Sequence, residues 1–203
     1  MVAAMDGCAG IVEIRRASSD DARGIAEVRV RTWQKAYSDI LPPEFLDALS
    51  VDAGESRWRD LLSAPGPDRW TLVAESSGQV VGFVSAGVPR DEGMPRLTGE
   101  LYAIYVLPDC WDRGVGRSLI GQAEEKLKQQ GFKEAVLWVL ADNQRARAFY
   151  ERAGWHADGG TKQAEFGGRA VTEVRYRIAL GRAGHAAPPR RAARARRCAP
   201  RRR

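Results

Sequence analysis

Residues 110–119 read CWDRGVGRSL. Gly114 and Gly116 sit one residue apart, flanked by Arg113 and Arg117, between an apolar run and a segment with helix-like spacing. A helix starting near Gly116 would present backbone N–H groups without intrahelical partners and a partial positive charge. Glycines let an anion approach the backbone and permit positive φ, and the two arginines add charge. The chemistry to expect is capture of a phosphate. Taken alone, the same pattern also fits a tight turn between a strand and a helix.

The kind of phosphate ligand is narrowed by mismatches. A P-loop would have Gly where Trp111 stands and Lys where Arg117 stands, and a dinucleotide fingerprint would have Gly or Ala where Leu119 stands. No G-x-S-x-G occurs, which excludes the strand-to-helix elbow of many hydrolases. The histidines are His156 and His185, neither beside a Cys/His cluster, so no metal centre is expected.

These residues must be carried by a framework, and the chain of 203 residues suits one domain. Its 44% hydrophobic and 29% charged residues match an ordinary soluble protein. No apolar run approaches the roughly 18 residues of a membrane span. The start, MVAAMDGCAG, lacks the basic region of a secretory signal. Cys8, Cys110 and Cys198 are odd in number and far apart, which points to neither a disulfide framework nor a metal site and to a reducing cytoplasm. The net charge of +6 is concentrated at one end. From Gly181 onward the chain carries nine Arg and no acid, and subtracting those nine from +6 leaves −3 for the body. The expected organisation is a flexible stretch 1–10, a folded domain 11–180 and a disordered Arg/Pro/Ala-rich tail 181–203. The tail is either a solvated extension or a weak electrostatic contact for an anionic partner such as nucleic acid.

Within the body, Ile11–Arg16 alternates like an edge strand, and Ser19 and Asp20 are candidate caps for a helix carrying Ala22, Ile25, Ala26, Arg29 and Trp33. EFLDAL after Pro42–Pro43 and a stretch around Arg57–Leu62 read as short helices. Trp70–Glu75 and Val80–Val88 read as strands joined by a hairpin at Ser76–Gly78. Glu100–Leu107 is an apolar strand, Arg117–Gln130 a helix stopped by Gly131, and Glu134–Leu140 a buried strand. A helix follows Asp142–Asn143 with Ala146, Phe149, Tyr150 and Ala153 on one face; then come a strand near Trp155–Ala157, a Gly-rich stretch and a last strand at Val171–Leu180. About seven strands interleaved with helices predict an α/β (α+β) domain, a mixed sheet with helices on its faces.

The segments LYAIYVLPDCWDRGVGRSLI and LWVLADNQRARAFYERAGW together resemble the GNAT superfamily of acyl-CoA-dependent N-acetyltransferases. That family's phosphate motif, Gln/Arg-x-x-Gly-x-Gly/Ala, is met by residues 111–116 except that Trp111 replaces the first position. Its second signature is met by Asn143, Ala146, Phe149, Tyr150 and Gly154, with Trp155 in place of Phe. The resemblance covers about Ile11 to Leu180. It implies a mostly antiparallel sheet splayed between Glu100–Leu107 and Glu134–Leu140, with acetyl-CoA as acyl donor in the V. Pantetheine would pair with main-chain groups of Ile104, Tyr105 and Val106. The pyrophosphate would meet the amides of Arg113, Gly114, Val115, Gly116, Arg117 and Ser118, with Asn143 and Tyr150 also at the cofactor.

The same resemblance implies direct attack of a primary amine on the thioester in a ternary complex. Tyr150 matches the family's tyrosine acid for the departing thiolate. Glu100 is a candidate base for the incoming ammonium, or else an exposed strand-end carboxylate. Trp33 and Tyr37 would border the acceptor, or be plain core. The acceptor is open between a small molecule and a peptide or protein amine, and the chain is expected as a monomer or homodimer away from membranes. The alternative function is a catalytically silent acyl-CoA-binding module that touches nucleic acid through its Arg-rich tail.

Overall fold

The computed structural model describes residues 10–64, 66 and 69–181. All but the first residue of the expected tail, including His185, and all but the last residue of the expected N-terminal stretch lie outside them. In chain order the elements are β1 (Val12–Arg16), α1 (Ala22–Ala36), α2 (Pro43–Asp47), α3 (Val51–Ser63), β2 (Arg69–Ser76), β3 (Gln79–Gly87), β4 (Thr98–Val106), α4 (Val115–Gln129), β5 (Glu134–Leu140), α5 (Gln144–Arg152), β6 (His156–Phe166) and β7 (Arg169–Ala179). The strands form one seven-stranded sheet in the order β1-β2-β3-β4-β5-β7-β6. Only β4 and β5 run parallel; the other neighbours are antiparallel. This is the mixed, mostly antiparallel sheet that the pattern of elements predicts.

Local chemistry explains the joints. Ser77 and Gly78 both have positive φ (51° and 76°), the two-residue hairpin geometry whose twist suits β2 and β3. The start of α1 lies one turn of 3-10 helix further on than Ser19 and Asp20 imply as caps. Asp21 holds it instead, accepting from the Ser18 N–H at 2.8 Å and from both terminal nitrogens of Arg15 at 2.7 and 2.8 Å. Arg15 also bonds Glu75 of β2, so the helix start is pinned to the sheet. Burial pushes the Asp21 carboxyl up, but the bonds from Arg15 and Ser18 outweigh it and the net shift is downward. The stretch around Arg57–Leu62 belongs to one helix, α3, capped by the Ser50 hydroxyl, which accepts from the Ala53 N–H at 3.2 Å.

Both faces of the sheet are covered. Ile25 and Val28 of α1 pack with Val73 and Phe83 on one face. Leu119, Ile120, Ala123 and Leu127 of α4 pack with Val81, Val84 and Leu101 on the other, the helix repeat near 3.6 turning these four positions inward.

Two expectations are corrected. The Gly-rich stretch after Ala157 is no loop: β6 runs on to Phe166 beside β7 and absorbs Gly159, at φ +87°, in a bulge between Ala157 and Thr161. Cys110, expected as an isolated thiol, is buried and disulfide-bonded; Cys8 and Cys198 lie outside the described residues.

The feature that builds the site is the uneven pairing of β4. Along β3 it pairs from Glu100 to Val106, with Leu101 opposite Ala86 and Ala103 opposite Ser85, so Tyr102 is an extra, bulged residue. Along β5 it pairs only from Thr98↔Glu134 to Leu101↔Leu137. The rest of β5, Trp138 to Leu140, is paired with β7 on its other side. Beyond Leu101 the two parallel strands part, and the gap opens into a cavity of about 670 Å³.

Candidate active site

One end of the cavity is the start of α4. Gly114 is its N-cap in the left-handed region, φ +85°, where a side chain would be strained. Asp112 also has positive φ, 60°. The amides of Val115, Gly116 and Arg117 precede the first intrahelical bond and have no helical acceptor. The Ser118 N–H already bonds the Gly114 carbonyl at 3.0 Å. The cradle is thus narrower than Arg113–Ser118: of the residues expected there, Ser118 offers only its hydroxyl. Gly114, Gly116 and Arg117 line the cavity, whereas Arg113 does not. Gly116 has a packing reason as well, because a Cβ there would stand 3.3 Å from the Phe149 ring of α5.

The sequence missed Arg145. It lines the cavity, pairs with Asp112 at 2.9 Å and lies 4.2 Å over the Trp111 ring. Trp111, the departure from the motif, donates its indole N–H to the Val106 carbonyl at 2.7 Å. A ring in place of a Gln or Arg therefore ties the loop to the end of β4 and gives Arg145 a platform. The cue was the spacing: Arg145 stands two residues after Asn143, in the first turn of the helix whose motif was already recognised.

The side wall is β4. The Leu107 N–H bonds Val81 of β3, and main-chain direction alternates along an antiparallel ladder. Tyr105 therefore turns its main-chain groups to β3, while Ile104 and Val106 turn theirs to the cleft. Tyr105 is corrected from a main-chain partner to a side-chain one: its ring lines the cavity and packs edge-on to Phe83 and Trp33. The Val106 carbonyl is already taken, by Trp111 and by the buried Thr32 hydroxyl at 3.0 Å, which leaves its N–H.

Tyr37, Tyr105, Asn143 and Tyr150 converge where β4 and β5 part. Asn143 caps α5, its Oδ1 accepting from the Ala146 N–H at 3.0 Å. Burial holds the Tyr37 hydroxyl well above the ordinary phenol range, with Tyr105 and Tyr150 adding to the shift and the Asn143 amide opposing it. Burial also raises Tyr150, helped by Tyr105, and raises Tyr105 against the opposing effect of Trp33, Tyr37 and Arg29. All three hydroxyls keep their protons at neutral pH. Trp33 lines the same cavity, with its indole N–H directed at the Tyr105 hydroxyl.

Glu100 is 1% exposed, so it is no surface carboxylate, and the cavity is lined by its partner Arg90 and not by Glu100 itself. Its oxygens accept from the Arg90 N–H at 2.7 Å and from the Arg90 guanidinium at 3.0 and 2.5 Å. The extended strand turns Leu101 and the bulged Tyr102 to the cavity and Glu100 away from it. The carboxylate that lines the acceptor side is Glu173 of β7, 3.6 Å from Lys162 and within electrostatic reach of the Tyr105 hydroxyl. No local motif marks it, because β7 reaches the cleft through the strand crossover.

Among known proteins, residues 25–155 match the acetyltransferase (GNAT) family. An uncharacterized N-acetyltransferase, YuaI of Bacillus subtilis, is 35% identical over 133 residues, which are 66% of this chain and 74% of that one. The PaiA N-acetyltransferase of Thermoplasma acidophilum, solved with coenzyme A, superposes with a TM-score of 0.62 at 22% identity, over 80% of this chain and 98% of that one. YncA of Salmonella typhimurium, a putative acetyltransferase solved with acetyl-CoA, gives a TM-score of 0.63 at 21% identity, over 88% and 98%. The splayed β4–β5 pair, the glycine-capped helix start and these matches agree: the chain belongs to the acetyltransferase (GNAT) family.

Proposed function

We propose that this protein transfers the acetyl group of acetyl-CoA to a primary amine by direct attack in a ternary complex. The observation that carries the proposal is convergence: the start of α4, the cleft-facing groups of Ile104 and Val106, and the Tyr150 hydroxyl all border one cavity. The residues fit the donor. Three free amides and Arg117 at a helix start suit a pyrophosphate, and an unpaired strand edge suits an amide-bearing arm that hydrogen-bonds like a strand.

Bound acetyl-CoA supplies the thioester whose carbonyl carbon takes the acceptor nitrogen as the carbon–sulfur bond breaks. The chain does the rest. The amides of Val115, Gly116 and Arg117 hold the phosphate end, and Ile104 and Val106 orient the arm. Glu173, not Glu100, is the carboxylate placed to take a proton from the acceptor ammonium. Tyr150 keeps its proton at neutral pH and offers it to the developing thiolate. Its pKa lies above that of a thiol, about 8.5, so it acts as a strong hydrogen-bond donor with partial transfer, not as a full acid. No observation among the described residues favours the silent binding module.

Calorimetry with coenzyme A, followed by release of free thiol from acetyl-CoA with a panel of amines, tests the proposal. Saturable binding and amine-dependent release are expected. Coenzyme A that fails to bind would refute the cofactor assignment, and binding without release for any amine would refute the transfer.

A further inference from the structure

The acceptor end of the cavity continues into a second groove of about 510 Å³. Arg29, Arg57, Arg90, Tyr102, Ala103 and Tyr105 line both spaces, so the two meet across the bulged part of β4. The groove has an aromatic floor of Trp58, Phe83, Tyr102 and Tyr105 and a rim of Arg16, Arg29, Arg57, Arg69 and Arg90; its described lining contains no Asp or Glu.

That rim gathers unpaired charge in one place. Several arginines elsewhere find carboxylates, as Arg15 does with Asp21, Arg23 with Glu55 and Arg31 with Asp109, and those that do not, such as Arg96, Arg152 and Arg169, line neither this groove nor its floor. Around the groove only Arg90 finds a carboxylate, that of Glu100. Among the described residues, Arg16, Arg29, Arg57 and Arg69 have no carboxylate within ion-pair distance, and Arg29 and Arg69 lie over Trp33 and Tyr102 instead, at 4.3 and 4.7 Å. Like charges gathered over a low-dielectric floor raise a positive potential that only an anion relieves. Guanidinium groups present forked donors that suit carboxylate or phosphate oxygens. On the cleft side the sign reverses at Glu173, and Glu173 and Arg29 act on the Tyr105 hydroxyl in opposite directions.

We propose that the acceptor is a zwitterion: its amine sits at Glu173 in the cleft, and its carboxylate, phosphate or phosphonate lies in the arginine groove. This rests on the transferase reading above and names the class of its substrate. It excludes a polyamine, which would bring positive charge to a positive rim.

The test uses acceptor pairs differing only in the anion, with acetyl-CoA: an α-amino acid and its amide, an aminoalkylphosphonate and the matching alkylamine, and spermidine as a polycation. The anionic member of each pair should have the higher kcat/KM, by about tenfold or more, the scale of one charge-assisted hydrogen bond. In the Arg57→Gln/Arg69→Gln double variant that ratio should fall toward one, and rising salt should reduce it in the wild type. Equal turnover within pairs, a preference for spermidine, or a ratio that survives the double change would overturn the proposal. Should no amine be turned over, titration of the CoA-loaded protein with the same compounds decides: binding of anionic members that the double variant loses supports the groove, and absence of binding overturns it. Failure of the transferase reading shows separately, as wild-type protein that does not bind acetyl-CoA.

Discussion

At one end of the cleft, Gly114 turns the chain with φ +85°, and Gly116 and Arg117 at the uncapped start of α4 line the cavity; at the other, side chains from α1, α3, β4 and β7 meet around Tyr105. The first end is made of main chain. Its donors stand on consecutive residues, and their direction is set by helix geometry, so few substitutions can move them. The second end is made of side chains remote in sequence, and each can change without disturbing the fold of the others. A cofactor shared by many enzymes belongs at the first kind of site, and an acceptor that differs from enzyme to enzyme belongs at the second.

The sharpest way to break this contrast is Gly116→Glu. It places a negative charge among amides that await an anion, and a Cβ 3.3 Å from Phe149. Affinity for acetyl-CoA should fall by about a thousandfold or more, several charge-assisted hydrogen bonds being lost at once. Gly114→Ala, strained only in its backbone, separates misfolding from lost binding: thermal melting should show a modest loss of stability, of about 1 kcal/mol. Unchanged affinity in folded Gly116→Glu would mean that the phosphates lie elsewhere.

Next in size is Tyr150→Phe, at the junction of the two ends. Turnover should drop about 10²-fold, the low end for an acid catalyst, since a thiolate leaves tolerably without help. Acetyl-CoA affinity should hold, because the ring remains against Phe149 and Tyr176. Full turnover in stopped-flow assays would assign the proton to another group.

Glu100→Gln probes the acceptor end and should act on stability, not on the reaction. It weakens three hydrogen bonds from Arg90 at a buried carboxylate, at a cost of about 2 kcal/mol, toward the lower part of the range because Arg90 is itself half-exposed. The melting temperature should fall while the pH dependence of kcat/KM keeps its shape. A shifted pH profile with an unchanged melting temperature would restore Glu100 as a base.

The smallest effect concerns pH and the tyrosines. Folding raises the pKa of Tyr37, Tyr105 and Tyr150, so the folded state holds these protons more tightly than the unfolded chain does. Their contribution is complete below about pH 10, the unfolded value, and is lost as pH rises from there toward the folded values. Denaturant titrations above pH 10 should show stability falling, and in Tyr150→Phe the slope should be shallower by about 1.4 kcal/mol per pH unit. An identical slope in the two proteins would place Tyr150 in water.

The same contrast explains what could be read from the chain. Gly114, Gly116 and Asn143 are legible because helix starts and caps need particular residues at fixed spacing, and Tyr150 through its place in the family's second signature. The strands are legible where burial on both faces makes them continuous apolar runs, as in β3 and β5. Glu173 and the arginines of the groove are not, because strand crossovers and packing bring them together and no spacing records that. Glu100 misled for a related reason: its place on β4 was right, but the direction of a strand side chain depends on register and bulges, which sequence alone does not count. β6 was cut short because Gly159 and Gly160 look like a loop when their bulge is not foreseen.

Tyr102 is one residue more on β4 than β3 can match, and this gives the strand something like a reading frame. Substitutions along β4 change what a position says; losing or gaining one residue near Tyr102 would change which positions speak to the cleft at all. Ile104 and Val106 would exchange facing with their neighbours, and the groups now turned to the cleft would turn to β3. A substitution on the acceptor side therefore alters one contact, whereas a change of length at this point alters them all.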